Sequence, residues 1–146
     1  MTITVQQLLN LKGDNNIYSV TPDMLVYDAI KRMDEVKVGA LIVIENDRLV
    51  GIISERDYTR KVVLRDKSSK TTQVREIMTE RVLCVTPDQT IDECLVIMSQ
   101  NHIRHLPVIK NNRPVGVLSV MDVVQSIISE KELIIEQLEN YISGVS

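Results

Sequence analysis

Aromatic residues are scarce: the 146-residue chain has four Tyr, no Phe and no Trp. Proteins that grip single-stranded nucleic acid stack bases on aromatic rings, and that inventory is missing. A basic excess is missing as well. Lys and Arg number 17 against 20 Asp and Glu, for a net charge of −3. The chain as a whole therefore has no long-range attraction for DNA or RNA. Its two cysteines, Cys84 and Cys94, cannot build a disulfide framework. The longest apolar run, Ala40–Ile44, falls far short of the roughly 20 residues of a membrane span. Met1-Thr2-Ile3-Thr4-Val5-Gln6 carries neither the basic region nor the apolar segment of an export signal, so the cytoplasm is the expected compartment. No Gly-x-Gly-x-x-Gly follows a strand, which speaks against a Rossmann-type dinucleotide site.

What is present is a globular composition, 44% hydrophobic and 25% charged, arranged as an internal repeat. Val20-Thr21-Pro22-Asp23 recurs as Val85-Thr86-Pro87-Asp88, 65 positions on. The same offset aligns Met33 with Met98, Leu41 with Leu106 and Asn46 with Asn111. It also aligns Val50-Gly51 with Val115-Gly116, Ser54 with Ser119 and Asp57 with Asp122. Two copies are too few for a solenoid, which needs three or more short units. They fit a pseudo-twofold pair of one unit that cannot close its core alone.

Each copy predicts β-α-β-β-α. A short strand (17–20; 82–85) ends in Thr-Pro-Asp, a turn and helix-start signal. Val26, Ala29, Ile30 and Met33 then take helical spacing, as do Ile91, Cys94, Leu95 and Met98. Thr90 and Glu93 have the spacing of a capping box, whereas the first copy has Leu25 where Thr90 stands. Two apolar strands flank an Asn-bearing turn (40–44 and 49–53; 105–109 and 115–118), and a second helix follows (55–64; 120–129). The expected organisation is an N-terminal segment 1–14, a first repeat 15–65, a basic linker with a short helix 66–80, a second repeat 81–129 and a C-terminal helix 130–146. The fold class is α+β.

Three groups of residues carry candidate chemistry. Gly51-x-x-Ser54-x-x-Asp57 and Gly116-x-x-Ser119-x-x-Asp122 stand where a strand gives way to a helix. Ser-x-x-Asp there is a capping pair. Either capping is their only role or the same atoms serve a nucleotide as well, since a helix N-terminus suits phosphate and a carboxylate suits the ribose hydroxyls. Arg104-His105-Leu106-Pro107 is the second group. Its Arg offers a bidentate phosphate contact and its His a further donor, or both are solvated surface groups. The first copy reads Gly39-Ala40-Leu41-Ile42 here, so the two copies should differ. Third, residues 60–75 hold six bases and one acid, Asp66, interleaved with Ser and Thr. This is either a solvated linker or a phosphate loop using Arg60, Lys67, Ser68, Lys70 and Thr71. Cys84, Cys94, His102 and His105 match no zinc spacing. No nucleophile has a base and an orienting partner in view, so neither metal nor enzymatic chemistry is expected.

The paired Gly-x-x-Ser-x-x-Asp segments and His105-Leu106-Pro107-Val108, in this element order, resemble a tandem pair of cystathionine-beta-synthase (CBS) domains, a Bateman module, over about residues 15–129. Residues 54–63 and 137–144 look like the small stand-alone bacterial proteins of this type. Those are similar to the regulatory insert of inosine monophosphate dehydrogenase without its catalytic barrel. The resemblance implies a non-enzymatic regulatory module with an adenine nucleotide in the crevice between the repeats. AMP is expected, with ADP, ATP or NAD(H) as variants and S-adenosylmethionine also bound in similar modules. It implies nucleotide contacts from Ser54, Arg56, Asp57, Arg104, His105, Pro107, Ser119 and Asp122. It also implies a disk-like homodimer, in keeping with an apolar stripe through Val124, Ile127, Ile128, Ile134, Ile135, Leu138, Tyr141 and Ile142. Neither nucleic acid nor membrane is an expected partner. The alternative is an interaction scaffold with vestigial crevices.

Overall fold

The computed structural model describes residues 2–13 and 16–144. It is α+β and divides into two compact units. One holds Asn16–Leu83 and Asn111–Pro114; the other holds the N-terminal residues, Cys84–Lys110 and the chain from Val115 on.

In the first unit, strand β1 (Ser19–Val20) precedes helix α2 (Val26–Val36), strands β2 (Ala40–Glu45) and β3 (Arg48–Ser54), and helix α3 (Glu55–Lys61). A single 3-10 turn at Val63–Arg65 and helix α4 (Val74–Ile77) follow. β1 runs parallel to β2 with Val20 beside Val43, and β2 runs antiparallel to β3 from Ala40↔Ser54 to Glu45↔Arg48. The two-residue turn at Asn46 and Asp47 has φ of 53° and 62°. Asn and Asp tolerate that left-handed backbone, which hairpin twist requires. The core comprises Val20, Val26, Ala29, Met33, Leu41, Val43, Ile53, Val62, Val74 and Ile77.

The second repeat follows this plan with α5 (Ile91–Asn101), β4 (His105–Lys110), β5 (Arg113–Ser119) and α6 (Val120–Ile142). Asn111 and Asn112 copy the turn with φ of 53° and 62°. α2 and α5 both end on a left-handed residue, Lys37 and His102, whose N–H bonds the carbonyl of Met33 or Met98. Of the expected first strand, only Val85 pairs, with Val108. The core is Val85, Ile91, Cys94, Met98, Leu106, Val108, Leu118 and Val123, joined by Val5, Leu8 and Leu9.

Those last three belong to α1 (Val5–Lys12), an element absent from the sequence-based reading of residues 1–14. Thr4 and Gln7 form a full capping box at its start. α1 packs on the second repeat as α4 packs on the first. Val5 N–H donates to the Gln89 carbonyl and Gln6 N–H to that of Pro87, at 2.8 and 3.0 Å. Val74 and Arg75 do the same to Met24 and Pro22, at 2.8 and 2.9 Å. Gly51 and Gly116 make room for these two helices. A Cβ would lie 2.7 Å from Met78 Sδ at Gly51 and 2.8 Å from Leu9 Cδ2 at Gly116.

Three details differ from expectation. Residues 120–142 form one helix rather than two, because no Gly or Pro interrupts them. The capping box at Thr90 is half formed: Thr90 Oγ1 accepts the Glu93 N–H at 3.2 Å, but the Glu93 carboxylate takes the Gln89 side-chain amide at 3.3 Å. Leu25 provides no side-chain cap, and backbone substitutes for it. Val26 and Tyr27 N–H donate to the carbonyls of Thr72 and Ser69, at 2.8 and 3.0 Å.

Candidate functional site

The second-repeat cluster is built at the start of α6. Ser119 is its N-cap, and its Oγ accepts the Asp122 N–H at 3.1 Å. Asp122 Oδ2 in turn accepts the Ser119 N–H at 2.9 Å. The Val120 N–H donates to the Arg104 carbonyl at 2.8 Å, which ties the Arg104-His105 pair to this helix end. Lys12, the last residue of α1, completes the group. Its Nζ lies 3.0 Å from Asp122 Oδ2 and donates to the Val117 carbonyl at 3.3 Å.

Electrostatics follow from this layout. Burial works against the Asp122 carboxylate, but the Ser119 amide and the Lys12 ammonium outweigh it and hold its pKa below the ordinary range. Burial pulls His105 below its ordinary value; the Asp122 charge opposes this, and Arg104 and Lys12 add to it. The exposed Arg104 guanidinium makes no hydrogen bond or ion pair among the described residues. Lys12 thus pairs with the carboxylate, His105 feels its charge, and Arg104 precedes His105 in the chain, an arrangement suited to an anion carrying hydroxyls. Pro107 is buried within β4, where its carbonyl accepts the Val85 N–H at 3.0 Å.

The first-repeat cluster keeps the cap and has no counterpart of the Arg104-His105 pair. Ser54 and Asp57 form the same reciprocal pair, at 2.9 and 3.2 Å. Asp57 is neutralised from its own helix, by Lys61 at 3.1 Å, and Lys61 also donates to the Ile77 carbonyl at 2.9 Å. Gly39 O accepts the Glu55 N–H at 3.1 Å, the backbone counterpart of the Arg104 contact. No charged side chain stands at Gly39 or Ala40. Arg56 is half-buried on α3.

The basic stretch is tied to its own unit. Ser69 and Thr72 cap α2 through their carbonyls, the Thr72 hydroxyl donates to the Ser68 carbonyl at 2.7 Å, and the Thr71 hydroxyl to the same oxygen at 3.4 Å. The Lys70 ammonium lies 5.2 Å from the centre of the Tyr27 ring. Arg60 and Lys67 are exposed. Sequence reasoning missed Lys12 and the pairing role of Lys61. The i, i+4 spacing of Asp57 and Lys61 signals the second. The box Thr4-x-x-Gln7 ahead of Leu8-Leu9 signals the helix that carries the first.

Cys94 is buried, and burial with the nearby Glu93 charge pushes its thiol up to about 11. No group of three or more metal-ligating side chains occurs among the described residues. No helix there is long and apolar enough to cross a membrane. A cleft of about 480 Å³ opens between α1 and α6, with Lys12 and Asp122 in its wall.

Two copies of one β-α-β-β-α unit, each with a Ser-capped, acid-bearing final helix, define a duplicated α+β module. The family model for the CBS domain matches residues 13–64 and 74–129, and the chain belongs to the CBS-domain family. It is 40% identical to the mitochondrial CBS domain-containing protein CBSX3 of Arabidopsis thaliana, over 97% of this chain and 72% of that protein. A solved CBS-domain protein from Burkholderia ambifaria is 47% identical, with a TM-score of 0.83 over 86% of this chain and 94% of its own. The fold also matches the CBS domain pair of MJ0100, solved with 5′-methylthioadenosine and S-adenosyl-L-methionine. That match has a TM-score of 0.79 and 22% identity over 89% of this chain and 99% of that one. CBS pairs generally are regulatory modules that take adenine-containing ligands.

Proposed function

We propose that this chain is a non-enzymatic, cytoplasmic sensor of adenine nucleotides that signals through a ligand-dependent change in conformation. AMP is the favoured ligand, with ADP, ATP and NAD(H) as variants and S-adenosylmethionine as a further candidate. One observation carries the reading: Lys12 pairs with Asp122 of the Ser119–Asp122 box at the start of a 23-residue helix, and that helix start is bonded to the Arg104 carbonyl, beside His105. Asp122 suits the ribose hydroxyls and the cations suit the phosphate. Ser54, Arg56 and Asp57 would form a second, weaker site, because the first repeat has no counterpart of Arg104 and His105. The stretch bearing Arg60, Lys67, Ser68, Lys70 and Thr71 is the candidate contact for a second phosphate.

Melting with and without each nucleotide tests the class of function. Ligand at 100 times its dissociation constant adds about 2.7 kcal/mol of stability. A melting point indifferent to every nucleotide would favour the scaffold reading, and turnover of the nucleotide on chromatography would reveal an enzyme. For the site, Asp122→Ala with Arg104→Ala should abolish binding at the second repeat while the fold survives. Each lost charged hydrogen bond costs about 1.5–3 kcal/mol, or roughly ten- to a hundredfold in affinity. Equal affinities of wild type and double variant by calorimetry would remove the assignment.

We propose a homodimer as the assembled state. Ile128, Ile135, Leu138, Tyr141 and Ile142 are exposed along α6, an apolar stripe that monomers rarely leave uncovered. A self-complementary patch is sufficient for a twofold pair. Light scattering at micromolar concentration checks this, and a clean mass near 16.6 kDa would exclude it.

A further inference from the structure

The acid in each repeat is paired with a lysine, and the two lysines come from different places. Lys61 sits one turn along the same helix as Asp57 and is held at both Asp57 Oδ1 and the Ile77 carbonyl. The corresponding position in the second repeat is Ser126. There the cation arrives instead from α1, as Lys12, 110 positions away in sequence. Lys12 ends its helix, directly before Gly13, whose φ of +73° turns the chain out of the helix. α1 itself stays anchored by Val5, Leu8 and Leu9 in the core. The ammonium is likewise held at two acceptors, Asp122 Oδ2 at 3.0 Å and the Val117 carbonyl at 3.3 Å, and side-chain rotation alone exchanges them with the helix fixed.

The Arg104 carbonyl takes the Val120 N–H, so the residues bearing two cations, Lys12 and Arg104, both meet the start of α6. A ribose that took Asp122 would displace the ammonium from that carboxylate. The displaced ammonium would then be free to pair with an anionic group carried by that ribose. We infer that Lys12 is the phosphate-discriminating residue of the second-repeat site: it holds Asp122 in the present arrangement and turns to the phosphate of a bound nucleotide. The inference rests on the nucleotide reading above. It goes beyond that reading by assigning ligand selection to a residue outside both repeats, and by giving the second repeat a preference for phosphorylated ligands that the first lacks.

Calorimetric titration of AMP and of adenosine into wild type, Lys12→Met and Lys61→Met decides it. Lys12→Met should weaken AMP about tenfold, the scale of one charge-assisted contact, and leave adenosine unchanged or tighter. Lys12→Arg should retain the AMP preference, and Lys61→Met should leave it untouched at the tighter site. Circular dichroism and melting points of all three variants establish that they are folded. If AMP and adenosine bind Lys12→Met with the wild-type ratio, the inference falls while the nucleotide reading stands. If wild type binds neither ligand, both fall.

Discussion

The two repeats share a backbone plan and differ in what they offer a ligand. Both open their last helix with a Ser–Asp box, and both place a main-chain carbonyl, Gly39 or Arg104, on the first turn of that helix. The first repeat spends only seven residues on it, whereas α6 runs for 23. The second repeat alone adds Arg104 and His105, and it draws Lys12 from outside the repeat. Duplication thus preserved the parts that hold the chain together. The side chains around them diverged, because a cap needs only one hydroxyl and one carboxylate, while the neighbouring positions are free to change with function.

The largest expected effect probes the equivalence of α1 and α4. Leu8→Ala and Ile77→Ala both remove a side chain buried to 1% exposure, and each should cost about 2–5 kcal/mol by urea denaturation. If Leu8→Ala proves neutral, α1 is not the partner of α4 in the repeat plan. Next come the glycines. At Gly51 a Cβ meets the Thr79 carbonyl at 3.0 Å as well as Met78, whereas at Gly116 it meets only the Leu9 side chain. Overpacking costs about 1–3 kcal/mol, so Gly51→Ala should lie near the top of that range and Gly116→Ala near the bottom; the reverse order would contradict the account of these contacts.

Ser54→Ala and Ser119→Ala should each cost about 1 kcal/mol, and similar values would confirm that the caps kept one structural role in both copies. The smallest effect is one of pH. The folded-state pKa of His105 lies below its ordinary value of about 6.5, so the unfolded chain takes up the proton more readily. Stability is full above about pH 6.5 and declines as pH falls toward the folded-state pKa. His105→Gln should flatten the melting-point profile below about pH 6.5, and the first repeat, with Ala40 at this position, adds no such imidazole. An unchanged profile would show that burial of His105 does not govern it.

Much of this architecture is local and hence legible in one dimension. The helical spacing from Val26 to Met33 and from Ile91 to Met98 marks the buried face of each helix, and the packing follows it. Asn46-Asp47 and Asn111-Asn112 mark their turns because left-handed backbone suits these side chains. The Ser–Asp boxes are equally legible, since three residues of separation bring the groups together on any helix. Lys61 is legible by the same logic, at i+4 from Asp57, although it stands as one base among six in a basic stretch.

The sequence by itself determined the duplication, the order of elements, the caps and the asymmetry between Arg104-His105 and Gly39-Ala40. Each rests on interactions between near neighbours, or on direct alignment of one copy with the other. Only the tertiary structure decided that the helix before the first repeat packs on the second, while the helix after the first repeat packs back on the first. The alignment at 65 positions conceals this, because α1 and α4 stand 69 positions apart. It also decided that Lys12 lies 3.0 Å from Asp122. Nothing local joins residues so distant in sequence. Burial of Val5, Leu8 and Leu9 against Gly116 and the α5 face fixes α1, and the lysine at its end is carried to the carboxylate as a consequence.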